Sequence, residues 1–181
     1  MKTTRHFITA SAQLAMCAAA LLLSPSAFSS EKDTLNTRDV TFVKGEAAAG
    51  KAELKIAELA VTKASRTDVK AFATTLVTDH SAVNTELAGL ATKKGVEISA
   101  VISPAHASVF QGLEKLGGPE FDKEFLKTII ADHKKCISNF EESATEGKDD
   151  DLRVWVNKTL PALRSHLATA ETLSAVGSSG Q

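Results

Sequence analysis

Four residues of this 181-residue chain have the types and positions needed for a site inside a helical protein: Glu53, His80, His133 and His166. Each falls near the middle of a predicted long helix and lies in or beside its apolar stripe. If the helices align end to end, the four side chains form one polar layer. Three imidazoles and one carboxylate facing one another favour zinc or copper over magnesium or calcium.

The same four residues are also compatible with two other kinds of structure, a haem site and a network without any cofactor. Two of the histidines are enough to hold a haem through its axial positions. Without any cofactor, Glu53 and the histidines form a buried hydrogen-bond network that fixes the register of the helices. No Glu-x-x-His pair occurs at these positions, which argues against a di-iron carboxylate site. The candidate cofactor is a zinc, copper or iron ion, and the metal-free network is the alternative.

Three further residues lie close to the layer in sequence. Asp79 and Asp132 each precede a histidine by one residue, about 100° around the helix, so each meets a histidine only across a helix interface. They are candidates for orienting a ligand held by another helix. Cys136, one turn after His133, is either a soft ligand or apolar filling.

The elements that position these residues are predicted to be four long amphipathic helices, with no strand pattern. The first spans about residues 39–63. The second begins near Ser65, where Asp68 three residues later suggests a capping box, and ends at Gly95. The fold class that follows is all-α, a four-helix bundle over residues 39–176.

The second half of the chain contains the remaining helices. A short helix begins at Ser103-Pro104 and ends by Gly117, inside the connection between the second and third long helices. The third long helix opens at Pro119 and stops at Gly147, and the fourth spans about residues 150–176 with Pro161 inside it. The interrupted connection is long enough to cross the bundle, which allows two helical hairpins joined by a crossover.

The first 29 residues have the organisation of a secretory signal peptide. Lys2 and Arg5 precede an apolar run over residues 14–23, and Ala27 and Ser29 supply the small residues that favour cleavage after Ser29. We expect a periplasmic or secreted protein without a transmembrane span, with flexible ends at residues 30–38 and 177–181. Cleavage leaves one cysteine, so no internal disulfide forms.

Charge narrows the classes of partner. The chain has 21 basic and 22 acidic residues, and removal of the leader leaves 19 and 22, a net charge of −3. A mildly acidic domain of this kind argues against nucleic acid as a partner. We expect instead a small ligand or another envelope protein.

Several short motifs, in order, resemble one bacterial family. They are Phe42-Val43 with Gly50 and Glu53, Val77-Thr78-Asp79-His80 with Asn84 and Leu87, Gly118-Pro119-Glu120-Phe121-Asp122 with Asp132-His133, and the run Thr159–Leu167. Over about residues 38–174 the chain is similar to the domain-of-unknown-function family 4142. The resemblance implies an exported, ferritin-like four-helix domain, a family whose members are often described as membrane or outer-membrane proteins and have no established activity.

The functional expectation is a non-enzymatic binding module of the envelope, associated with stress or with a structural role. The alternative is a metal-dependent, ferritin-like oxidoreductase that uses the polar layer. Ferritin-like ancestry is an analogy at the level of the fold. The missing Glu-x-x-His pairs depart from the di-iron members of that superfamily, so ferroxidase activity is not expected.

Overall fold

The computed structural model describes residues 34–178, and the predicted signal peptide lies outside them. Five helices and no strand occur in this part of the chain: α1 Thr37–Lys63, α2 Thr67–Lys93, α3 Pro104–Glu114, α4 Gly118–Glu146 and α5 Asp150–Ser178. The all-helical prediction is confirmed, with α3 as the short helix. None of the helices in the described range combines the length and apolarity that a membrane crossing requires.

Most helix ends follow from the sequence. Asn36 caps α1 by accepting hydrogen bonds from the amides of Arg38 and Asp39. Ser103 caps α3 by accepting one from the amide of His106. Asp149 caps α5 in the same way, since its carboxylate accepts a hydrogen bond from the Leu152 amide. α5 continues through Ser178, two residues into the segment expected to be a flexible tail.

The predicted capping box at Ser65 is wrong. α2 begins at Thr67 without a side-chain cap, and the Ser65 hydroxyl donates to Asp122 of α4 at 2.6 Å. Asp122 also accepts hydrogen bonds from the amides of Ser65 and Arg66. Asp68 pairs with Arg66 instead of closing a box. A carboxylate from another hairpin thus takes the place of the local cap.

The turn between α4 and α5 is held in the corresponding way. Asp39, at the start of α1, accepts hydrogen bonds from the amides of Lys148 and Asp149 at 3.1 Å each. Asp39 and Asp122 are both almost fully buried. Each helical hairpin therefore supplies the carboxylate that satisfies the turn of the other hairpin.

These contacts also define how the helices run. Three-residue turns join α1 to α2 and α4 to α5, so each pair is antiparallel. The end of α2 meets the start of α5 through Lys93 and Asp151, which lie 2.6 Å apart. The start of α2 meets the end of α5 where Arg66 donates to the carbonyl of Leu173. The connection containing α3 therefore crosses the length of the bundle.

Two apolar clusters fill the interior. The first, which we call the α3-side cluster because Leu113 belongs to it, includes Phe72, Leu76, Phe121 and Phe125. The second, the tryptophan cluster, includes Val43, Leu87, Phe140, Trp155 and Leu160. In every long helix the residue of the polar layer lies between the residues of the two clusters. The layer is thus the boundary between two separately packed halves of the core.

Candidate metal centre

The structure brings the four predicted layer residues together. Glu53 comes from α1, His80 from α2, His133 from α4 and His166 from α5, and all four are buried. His133 has no exposed surface at all. One ring nitrogen from each histidine lies within 4.8 Å of those of the other two. The end-to-end alignment assumed from the sequence therefore occurs.

The proton positions on two of the rings follow from their partners. Nδ1 of His133 lies 3.1 Å from the carbonyl oxygen of Ile129, and Nε2 of His166 lies 2.9 Å from a carboxylate oxygen of Asp79. Both oxygens only accept, so each of these nitrogens carries its proton. In the neutral rings the other two nitrogens, Nε2 of His133 and Nδ1 of His166, have bare lone pairs. They face each other at 3.3 Å.

Glu53 contacts two of the rings without a well-formed hydrogen bond. Its Oε1 lies 2.9 Å from Nδ1 of His133, but the N–H of that ring is directed at Ile129. Its Oε2 lies 3.6 Å from Nε2 of His80, beyond hydrogen-bond range. Glu53 Oε1 and His80 Nε2 are both buried atoms without a hydrogen-bond partner. Such orphaned atoms indicate a missing water, proton or ion.

The pKa shifts describe the charge of the layer in the absence of an ion. Burial raises the pKa of Glu53, but His80 and His133 outweigh it and leave that pKa below its ordinary value. Burial lowers the pKa of His133, yet the contact with Glu53 raises it overall. Burial leaves the pKa of His80 below its ordinary value. These shifts favour an ionised Glu53, a neutral His80 and a proton on His133.

A small metal ion fits this arrangement. Two nitrogens bound to one tetrahedral ion at about 2.05 Å are about 3.3 Å apart, the separation found between His133 and His166. Three imidazoles and a carboxylate form a donor set suited to zinc or copper. A haem does not fit, because the three rings contact one another directly, with centroids 5.4, 5.6 and 5.7 Å apart, and leave no space for a macrocycle.

The two aspartates behave differently. Asp79 reaches across the α2–α5 interface to Nε2 of His166 and thereby fixes the orientation of that ring, as carboxylates beside metal-binding histidines do. Asp132 makes no hydrogen bond to any of the three histidines, and burial raises its pKa. Its carboxylate lines a neighbouring cavity instead.

That cavity has a volume of about 340 Å³ and extends from the layer into the tryptophan cluster. Five buried side-chain atoms of the described residues lack a hydrogen-bond partner, and four of them belong to residues that line it. Those residues are Glu53, His80, Asn84 and Trp155. The unsatisfied polar groups of the core are thus concentrated on one side of the layer.

Most residues that line the cavity carry no signal in the sequence pattern used to find the layer. His106, near the start of α3, is half-buried and forms part of the wall. Glu46 lies there too, with Cys136 and Asn139 donating to its carboxylate. Its spacing of seven residues from Glu53 places both on one face of α1 and was a usable signal. The Cys136 thiol itself is strongly protonated, because burial raises its pKa.

The comparisons with known proteins agree with this fold. The model of the family described as domain of unknown function DUF4142 matches residues 24–173, so the chain belongs to that family. Among curated proteins, none matches the chain.

Two solved structures share the fold at low sequence identity. A DUF305 fragment from Deinococcus radiodurans matches with a TM-score of 0.70 and 15% identity, over 78% of this chain and 98% of that one. CopM in its Cu(II)-bound form matches with a TM-score of 0.65 and 15% identity, over 76% of this chain and 95% of that one.

Proposed function

We propose that this protein binds one divalent transition-metal ion in the layer formed by His80, His133, His166 and Glu53, as a binding protein and not as an enzyme. The observation that carries the proposal is the pair of bare nitrogens of His133 and His166 facing each other at 3.3 Å. Two lone pairs at this distance repel each other unless a cation lies between them. A proton on His133 meets that need in the metal-free protein, and an ion replaces it on binding.

Copper(II) is the ion we assign to the site. Affinity for nitrogen-rich sites rises along the divalent series to Cu²⁺ and falls again at Zn²⁺. The similarity of the fold to CopM, a structure solved with Cu(II) bound, supports the same choice. Zinc suits the same ligands and is the competing ion.

The metal-free network remains the competing explanation of the layer. It accounts for the contacts of His133 with Ile129 and of His166 with Asp79. It does not account for Nε2 of His80 or Oε1 of Glu53, which stay without partners. Within the layer the metal-free network gives neither atom a hydrogen-bond partner, whereas an ion held by all four side chains would give both a partner.

We also propose that the protein works outside the cytoplasm, supported by the leader-like residues 1–29. A relationship to ferritin-like bundles is part of the same proposal, supported by two hairpins and a long crossover connection. Without Glu-x-x-His pairs, a di-iron oxidoreductase is the weaker alternative.

The test is elemental analysis of the protein exported to a periplasm and purified without an affinity tag or chelator. We expect about one copper or zinc ion per chain, as one set of four ligands implies. Metal-free protein titrated with Cu(II) should melt at a higher temperature, and the bound ion should give nitrogen couplings in its electron paramagnetic resonance spectrum.

His80→Ala is the first variant, because the buried Nε2 of His80 has no hydrogen-bond partner to lose. It should remain helical and lose the ion, whereas His106→Ala, outside the layer, should retain it. The proposal would be refuted if adding Cu(II) or Zn(II) to the metal-free wild-type protein left its melting temperature unchanged. Binding that survives in His80→Ala and in a His133→Ala/His166→Ala double variant would place the ion elsewhere.

A further inference from the structure

Among the described residues, a cavity and a groove both reach residues of the layer. The cavity of about 340 Å³ lies on the tryptophan side, and its wall includes Ser103 and His106 of the α3 segment. The groove of about 490 Å³ lies between α2 and α5 and is lined by Asp79 and His166 among others. Each of them offers an ion a path from the surface to the core.

The groove is closed by its own hydrogen bond. Nε2 of His166 faces it and is already paired with Asp79 at 2.9 Å. The nitrogen of His166 that is free to bind an ion is Nδ1, on the opposite edge of the ring and turned towards His133. Passage from the groove therefore requires the Asp79–His166 contact to break and the ring to move.

On the cavity side, in contrast, the layer has polar atoms without a hydrogen-bond partner. Glu53 and His80 line it, and each has a buried polar atom without a partner. The carboxylates of Glu46 and Asp132 line the same space. Carboxylate oxygens attract a hydrated cation and are able to replace part of its water shell.

Glu46 occupies a defined place along this path. It lies seven residues before Glu53 on α1, which is about 10.5 Å along the helix axis on the same face. Asn139 donates to its Oε1 at 2.9 Å, and the Cys136 thiol lies 3.3 Å from its Oε2. The carboxylate is thus held in one position, about two helical turns from the layer.

We propose that the cavity is the entrance through which the cation reaches the layer, and that Glu46 binds the ion in transit between the surface and Glu53. This inference rests on the proposed function, because an ion that never binds in the layer has no route to it. It assigns to Glu46 a role in the rate of binding and none in the final coordination.

The protein carries its own probe for this rate. Trp155 is the only tryptophan, the chain contains no tyrosine, and Trp155 lines the cavity. Binding of Cu(II), a paramagnetic ion, quenches tryptophan fluorescence. Mixing metal-free protein with Cu(II) in a stopped-flow instrument therefore reports uptake, while metal content after dialysis reports final occupancy.

The first pair of variants obstructs one opening at a time. Ala49 lines the cavity on the face of α1 between Glu46 and Glu53, and Ala162 lines the groove, and both are half-buried. Ala49→Leu should slow uptake by about tenfold, since the ion then enters only when the bundle opens. Ala162→Leu should leave the rate unchanged, and both variants should reach the wild-type metal content.

The second pair tests Glu46 by charge alone. Glu46→Gln keeps the shape of the side chain and should slow uptake by about tenfold without changing final occupancy, as loss of local attraction predicts. Glu58→Gln removes an exposed charge from the same helix and should have no effect. Far-ultraviolet circular dichroism confirms that each variant folds.

The outcomes separate the two proposals. Wild-type protein that takes up no Cu(II) contradicts the proposed function itself. Stoichiometric uptake that is slowed by Ala162→Leu and not by Ala49→Leu overturns the entrance and assigns the groove. Uptake at the wild-type rate in both Ala49→Leu and Glu46→Gln also overturns it, while loss of final occupancy in Glu46→Gln would make Glu46 a ligand of the bound ion.

Discussion

The two halves of the core differ in how completely they are filled. In the α3-side cluster Phe121 and Phe125 are fully buried and their rings stack with centroids 6.0 Å apart. On the other side of the layer Phe140 and Trp155 also contact each other, yet both line the cavity of about 340 Å³. The same kinds of side chain thus form a closed core in one half and surround a cavity in the other. The comparison indicates that the α3-side half is packed for stability, whereas the tryptophan half leaves space beside the layer.

The largest expected effect contrasts one phenylalanine from each half. Phe125→Ala should lower the free energy of unfolding by about 4 kcal/mol, because the lost ring leaves a new void in a closed cluster. Phe140→Ala should cost only about 2 kcal/mol, close to the transfer free energy of the ring, because it enlarges a space that already exists. Urea denaturation of the metal-free proteins measures both. Equal losses would mean that the cavity is not a distinct part of the core.

A smaller expected effect is the pH dependence of stability that arises from Glu46, in the wall of the cavity. Burial raises the pKa of Glu46, so the folded protein keeps this proton over a pH interval in which the unfolded chain has lost it. The stability contributed by Glu46 is present below its ordinary pKa and is lost as pH rises through the raised value.

Glu46→Gln should therefore gain stability relative to the wild type as pH increases from about 4 to about 8. Thermal melts of the metal-free proteins across this range measure the difference. Glu58→Gln, at an exposed position of the same helix, should run parallel to the wild type. A constant difference between Glu46→Gln and the wild type would show that Glu46 titrates as an exposed carboxylate does.

The smallest expected effect depends on how tightly the side chains around the cavity are packed. A Cβ atom at Gly50 would lie 2.2 Å from Oδ1 of Asn84, whereas one at Gly45 meets nothing within 4 Å. Alanine is favoured over glycine inside a helix by about 1 kcal/mol. Gly45→Ala should show that gain, and Gly50→Ala should show almost none, because the Asn84 amide has to move. A full gain in Gly50→Ala would mean that Asn84 moves freely into the cavity.

The sequence was sufficient for the helices and for the layer. The apolar period of three to four residues marks each long helix, and a polar residue in each stripe is visible once the helices are aligned. The start of α3 at Ser103-Pro104 follows from local capping chemistry. These features depend on neighbours in the chain, which is why pattern analysis finds them.

The remaining features depend on contacts between distant segments. Ser65 resembles the first residue of a capping box, but its partner is Asp122, 57 residues away. The bond between Asp79 and His166 also joins separate hairpins. A cavity is a lack of side-chain volume, and no single residue type signals it. The cavity beside the layer could therefore not be predicted, although some of the polar residues that line it were already candidates from the sequence.

The exchange of carboxylates between the two turns has a consequence for how the chain assembles. Asp39 completes the α4–α5 turn and Asp122 completes the α1–α2 turn. A hairpin on its own would leave the amides of its turn to water and a buried carboxylate without its donors. The two hairpins are therefore mutually dependent folding units, and a chain cut within the connection before α3 should yield fragments that become ordered only on association with each other.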